Sequence, residues 1–259
     1  MSGAETMLLV TAGLAVLARV APLVAVAPFG ALVRLPSALQ PVLILAISAW
    51  VLFSLPAADL RHSGVLTWGT LFGAVGANAV VGFAFALTAR LIFSAFEVTG
   101  GYLDLVFGFS LSATLAPTGA NTTLIEEFLT LFGTAVFLAL GGLTDLLGAI
   151  AASFGRLPAF APIQFGPAVG PTMLGAFTTA VGVGMAVAAP LILAMALINI
   201  LMGALGRLIP QINLLAFDFP VLMAVGLLLF TVSLPVWLST AQVLLSDLGN
   251  AISTLVGAA

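Results

Sequence analysis

The chain has 259 residues, of which 62% are hydrophobic and only 6% charged, with a mean hydropathy of +1.31. Soluble domains carry about 25% charged residues, so these charges are too few to cover a water-facing surface, and the composition is that of an integral membrane protein. The net charge is −3, every basic residue is an arginine and no basic run exists, which leaves nucleic-acid binding without an electrostatic footprint; the absence of cysteine excludes disulfides, iron–sulfur clusters and cysteine-ligated zinc.

The opening MSGAETMLLV lacks the basic start of a cleavable signal, and the apolar run that follows it, at about 7–29, is too long for a signal core. It is expected to stay as the first helix. Further apolar runs lie at about 38–56, 65–96, 124–152, 168–205 and 213–239. A membrane helix needs about 20 apolar residues. The runs at 65–96 and 168–205 exceed this, so those helices must tilt strongly, break or leave the bilayer plane. Pro190 is expected to kink the second of them. Pro162, Pro167 and Pro171 mark the linker before it. Gly69/Gly73 and Gly166/Gly170 have the spacing of close helix contacts, a weak signal in a chain with 27 glycines. No soluble domain and no internal repeat is visible.

Charge placement is unusual. Arg34, Arg61, Arg156 and Arg207 fall in successive loops, so the positive-inside rule sets no orientation. Arg19, Arg90 and Asp145 lie inside apolar runs, where a charge costs at least about 2.5 kcal/mol at mid-bilayer. Either the arginines snorkel at span ends, or the helices face protein and water rather than lipid. The single histidine, His62, has no companions with which to hold a metal and reads as a loop residue.

The middle of the chain, FEVTGGYLDLVFGFSLSATLAPTGANTTLIEEF (Phe96 to Phe128), is interrupted by Gly100, Gly101, Gly108, Pro117 and Gly119. Yet Leu103, Leu105, Val106, Phe107, Phe109 and Leu111 keep it apolar. Irregular backbone at membrane depth is tolerated only inside protein or along a cavity, so the segment reads as a re-entrant or pore-facing loop. Gly100, Gly101, Gly108 and Pro117 are its expected hinges. Asn121 or Thr122 can cap the next helix, and Glu126 and Glu127 fit its first turn, where capping is preferred to ion binding. Glu97 and Asp104 bracket the glycine pair. They read either as a cation or proton site, or as polar anchors where a helix ends, paired with Arg90 or with an arginine of another chain. No second carboxylate cluster supports a relay, which favours the anchors.

Near the C-terminus, GRLIPQINLLAFDFP (Gly206 to Pro220) separates two apolar runs. Pro210 cannot continue a helix ladder, Arg207 can cap carbonyls, and Gln211 and Asn213 can bind freed backbone, so the segment reads as the turn of a helical hairpin. Enzyme chemistry finds no support. There is no Ser-His-Asp set, no glycine-rich phosphate loop with lysine and no metal-ligand spacing.

NILMGALGRLIPQINLLAFDFPVLMAVGLLLF (Asn199 to Phe230) resembles the C-terminal signature of the flagellar biosynthetic protein FliR family, which includes the T subunit of virulence type III secretion systems. The shared positions are Gly203, Arg207, Pro210, Gln211, Asn213, Phe219, Pro220 and Gly226. EVTGGYLDLVFGFSLSATLAP, FLALGGLTDLLGAIAASFGRLP and RVAPLVAVAPFGALVRLPSALQPVLILAISAWVLFSLP resemble other parts of the family, so the likeness runs along nearly the whole chain. Two departures stand out. Ala116-Pro117 replaces the family's Asp-Pro, and Leu143 stands where a histidine is usual.

The resemblance implies an all-α integral membrane protein of long kinked helices and helical hairpins with a central re-entrant loop. Residues 1–167 would form a FliP-like part with the loop at 100–120, and 168–259 a FliQ-like hairpin and tail. It implies a non-enzymatic, cofactor-free core subunit of the flagellar type III export gate, in the bacterial inner membrane and flagellar basal body. The implied partners are FliP, FliQ and FlhB, with FlhA nearby, and unfolded secreted proteins as substrates. Phe107, Phe109 and Leu111 would form a hydrophobic plug. A secondary transporter of a small solute, using a broken helix at Gly100-Gly101 as its site, is the alternative.

Overall fold

The computed structural model describes residues 3–26, 39–55, 68–108, 124–160, 169–208 and 214–258. Among the described residues there are seven helices and no strand: α1 (Gly3–Val26), α2 (Leu39–Ser54), α3 (Trp68–Phe107), α4 (Leu124–Ala139), α5 (Gly142–Arg156), α6 (Val169–Leu208) and α7 (Leu214–Ala258). Three of them, α3, α6 and α7, are long and apolar enough to cross a membrane, and a fourth span results if α4 and α5 together make one broken crossing.

The two 40-residue helices, α3 and α6, each extend roughly 60 Å at 1.5 Å per residue, about twice the hydrocarbon thickness of a bilayer. The 16-residue α2 reaches roughly 24 Å by the same rise and falls short of it. Pro190 lies inside α6, and Pro220 and Pro235 inside α7; each removes one backbone donor from its ladder. Several hydroxyls within these apolar helices are satisfied at home. Thr88 donates to the carbonyl of Ala84, Thr130 to Glu126, Thr134 to Thr130, Thr231 to Leu227 and Thr240 to Val236, at 2.7–2.8 Å. Bonding four residues back removes a bare hydroxyl from an apolar setting.

The expected helix at 65–96 does not stop there. α3 passes through Gly100 and Gly101 and ends at Phe107, where Gly108 adopts φ 83. The expected run at 124–152 breaks instead. Gly141, at φ 78, separates α4 from α5 and accepts the N–H groups of Thr144 and Asp145 through its carbonyl. Asp145 therefore stands exposed in the first turn of α5, where the helix dipole favours a carboxylate, rather than in mid-span.

The chain divides into two compact units. Unit 1 comprises residues 1–92, 137–177 and 245–259, and contains α1, α2, α5 and the first part of α3. In it α1 packs along α2 and buries Ala12, Ala15, Val16 and Leu23, while α5 buries Leu146, Ile150 and Phe154. Unit 2 comprises residues 93–136 and 178–244. Its core includes Phe93, Phe96, Leu103 and Phe107 of α3, Ile125 and Leu129 of α4, Met195 of α6, and Phe230 and Trp237 of α7. Along α3, Ala74, Asn78, Val81, Phe85, Ala89 and Ile92 are buried in unit 1, and Phe96, Leu103 and Phe107 in unit 2, at helical spacing within each.

Candidate functional site

Two of the polar residues singled out in the sequence, Asp104 and Arg19, are each the focus of a buried hydrogen-bonded site, one in each unit. In unit 2 the focus is the carboxylate of Asp104, which is fully buried on α3. Its Oδ1 accepts the backbone N–H of Ile125 at 3.0 Å, and its Oδ2 that of Glu126 at 2.8 Å. These donors belong to the first turn of α4, where the ladder leaves N–H groups unpaired and the dipole is positive. A residue on one helix thus caps the start of the next.

The close approach is made possible by Gly100, one turn earlier on α3. A Cβ there would collide with the Cα of Glu126. The same pattern recurs in this unit. Gly133 of α4 faces the ring of Phe96, Gly184 of α6 faces the hydroxyl of Thr99, and Gly226 of α7 faces the ring of Phe107, with a Cβ at each coming within 2.6–3.0 Å. The last three turns of α3 are therefore met by α4, α6 and α7 so closely that a methyl at any of these glycines would force its neighbour to shift.

In unit 1 the focus is Arg19 of α1, with no exposed surface. Its Nε donates to Asn78 Oδ1 at 2.9 Å, its Nη1 to Ser153 Oγ at 2.8 Å and its Nη2 to the carbonyl of Leu157 at 2.8 Å. The guanidinium lies 3.7 Å from the ring centroid of Phe154. Asn78 in turn donates to the carbonyls of Ala74 and Ala159, and Ser153 to that of Ile150. Among the described residues, no carboxylate binds Arg19. The cation is held by neutral acceptors, an aromatic face and the carbonyl end of α5, whose dipole is negative. Three hydrogen bonds from a charged donor, each worth roughly 1.5–3 kcal/mol, offset the cost of taking the charge out of water. Snorkelling is thereby overturned for Arg19, because the head points inward. At Gly82 of α3 an added Cβ would meet the Arg19 carbonyl, so the backbones of α1 and α3 touch beside the knot.

Several expected site residues are placed differently from their sequence reading. Gly100 and Gly101 are helical, so they do not break α3; Gly100 admits α4 instead. Phe107 is the last residue of α3 and fully buried against Gly226, which ties it to its own chain. Asp104 sits inside α3, three residues before its end, and holds the start of α4. Glu97 and Arg90 lie half-buried on α3. Arg207 is exposed in the last turn of α6, as a residue that favours the carbonyl end of a helix can be. Phe219 and Pro220 lie inside α7, which begins at Leu214, and so fall beyond the connection between the two helices. Phe109, Leu111, Pro117, Pro210, Gln211 and Asn213 lie outside the described residues, as do Asn121, Thr122 and His62. Sequence reasoning missed Asn78, Gly82, Ser153 and Phe154. The available signal was an amide isolated in the long run at 65–96 together with an arginine isolated in the first.

The family model of bacterial export proteins, family 1, matches residues 10–248. The chain belongs to this family. It is 33% identical over 156 residues to the flagellar biosynthetic protein FliR of Aquifex aeolicus, a stretch covering 60% of this chain and 59% of that protein. It is 24% identical over 242 residues to FliR of Escherichia coli, covering 93% and 90%. It is 26% identical over 170 residues to the surface presentation of antigens protein SpaR of Shigella sonnei, covering 65% of each.

Proposed function

We propose that this bacterial export protein is a core subunit of a flagellar type III export gate, helping to form the passage through which unfolded proteins leave the cell. The observation that carries the reading is the family match from residue 10 to residue 248, supported by relatives named for flagellar biosynthesis and antigen presentation at the cell surface. FliP-, FliQ- and FlhB-like chains are its proposed partners, with an FlhA-like chain nearby, in the inner membrane at the base of the flagellum. Residues 1–167 and 168–259 are the proposed FliP-like and FliQ-like parts.

The proposed seal lies in the segment between α3 and α4, with Phe109 and Leu111 as its apolar plug. Apolar side chains exclude water and therefore ions from a passage wide enough for a polypeptide. Phe107, packed on Gly226, anchors the start of that segment rather than filling the passage. The alternative of a small-solute transporter needed a broken helix at Gly100-Gly101, and α3 is continuous there.

The reading is tested by deleting the gene and complementing it. Loss of filaments and of secreted filament subunits, restored by the wild-type chain, is the expected result. Normal secretion without the chain would refute it. Shortening the segment, for example by deleting residues 108–112, is expected to make assembled complexes leak ions; complexes as tight as wild type would remove the segment from the seal.

A further inference from the structure

From the α3–α4 junction we infer that Asp104 is a positioning residue that keeps these two helices joined while the gate works, so that any rearrangement during export lies outside the junction. This rests on the gate reading above. It concerns how the chain works rather than what it belongs to.

Three observations converge. The Asp104 carboxylate is fully buried and accepts two adjacent backbone N–H groups of α4, one on each oxygen. Charge-assisted bonds to a helix start are the stronger class of hydrogen bond, and this pair shares one rigid acceptor. Gly100 sets the two backbones in contact at Glu126, so no side chain lies between them that could act as a hinge. Three residues beyond Asp104, α3 is also held by the Phe107–Gly226 contact with α7. Separating α3 from α4 would break both bonds from the Asp104 carboxylate to the N–H groups of Ile125 and Glu126, and unmade hydrogen bonds of buried polar groups are costly.

The competing idea for Asp104 is the ion or proton site that an intramembrane carboxylate suggests. The two roles separate in a cross-linking experiment, which the absence of natural cysteine makes unambiguous. A Cβ on Gly101 would lie 3.8 Å from the Glu126 side-chain oxygen Oε2, so a Gly101→Cys/Glu126→Cys pair can be bridged by a short, reducible thiol reagent. The pair is introduced into the full chain, assembled with its partner subunits, and secretion is measured in the deletion strain. Bridged and unbridged complexes are expected to secrete at the same rate within about twofold. A block on bridging that reductant reverses would overturn the inference, since it would show that the helices must part.

In the same pair, Asp104→Ala is expected to lower secretion about tenfold or more, the factor that one charge-assisted hydrogen bond is worth, and bridging is expected to restore it. Failure of the bridge to rescue assembled Asp104→Ala complexes would overturn the positioning role and favour the ion site. Asp104→Asn keeps the volume and one acceptor oxygen, so it supplies the same comparison if the alanine variant does not assemble. If the wild-type chain itself fails to support secretion, it is the gate reading that falls, before any cross-link is made.

Discussion

At the level of single residues, two buried polar groups make opposite predictions. Asn78 joins Arg19 to the carbonyl of Ala159, so Asn78→Leu leaves the guanidinium and that carbonyl short of a partner. Each stranded group costs roughly 1–3 kcal/mol, and the variant is expected to lower the melting temperature and yield of the purified complex. Arg19→Lys is expected to do the same, because one ammonium cannot reproduce a planar fork reaching Asn78, Ser153 and Leu157 at once. Thr99 is the contrast. Its hydroxyl is buried and has no hydrogen-bond partner among the described residues. Thr99→Val keeps the shape and removes the unmet group, so it is expected to be neutral or stabilising, by up to about 1 kcal/mol. A loss of stability in Thr99→Val as large as that in Asn78→Leu would show that the hydroxyl has a partner in the assembled gate.

Between helices, glycine decides where the backbones can meet. At Gly226 an added Cβ would lie 2.8 Å from the Phe107 ring, so Gly226→Ala is expected to destabilise the end of α3, and Phe107→Leu in the same chain is expected to recover part of the loss by making room. The readout is the fraction of chain recovered in assembled complexes. Equal yields for the single and double variants would mean that the contact gives way elsewhere. These glycines also explain what could and could not be read from the sequence. The long apolar runs were legible because a membrane helix needs an uninterrupted greasy stretch, and α3, α6 and α7 follow them. The role of Gly100 and Gly101 was not legible. A glycine pair weakens a helix when nothing packs on it, but a second helix laid against it returns more than the propensity loss. Gly141 shows the converse, since a positive φ there ends α4 within a run that hydropathy alone would continue. Arg19 was recognisable as an anomaly, but its neutral acceptors on α3 and α5 are more than 50 residues away in sequence and no local pattern announces them.

For the molecule as a whole, the exposed apolar faces set the conditions for stability. Leu174, Leu193, Leu197, Ile200 and Leu205 along α6 and Leu228, Val232 and Val236 along α7 are all exposed in the isolated chain. From Leu174 to Leu205 the first of these faces extends roughly 46 Å at 1.5 Å per residue, farther than the ~30 Å of a bilayer core. The chain made alone is expected to aggregate or be degraded in detergent, and to copurify as a monodisperse complex when coexpressed with the proposed partner subunits; a stable lone monomer would contradict this. Unit 1 also draws on both ends of the sequence, because Leu248, Ala251 and Ile252 near the end of α7 are buried and belong with residues 1–92. Biosynthesis inherits that arrangement. The ribosome releases α1, α2 and the start of α3 long before the residues that complete their unit exist, so the nascent chain must wait in the membrane with an unfinished core. A stop codon before residue 245 then becomes a lesion of the unit that the early helices begin, and quality control that samples those helices would be reading whether translation had passed that point.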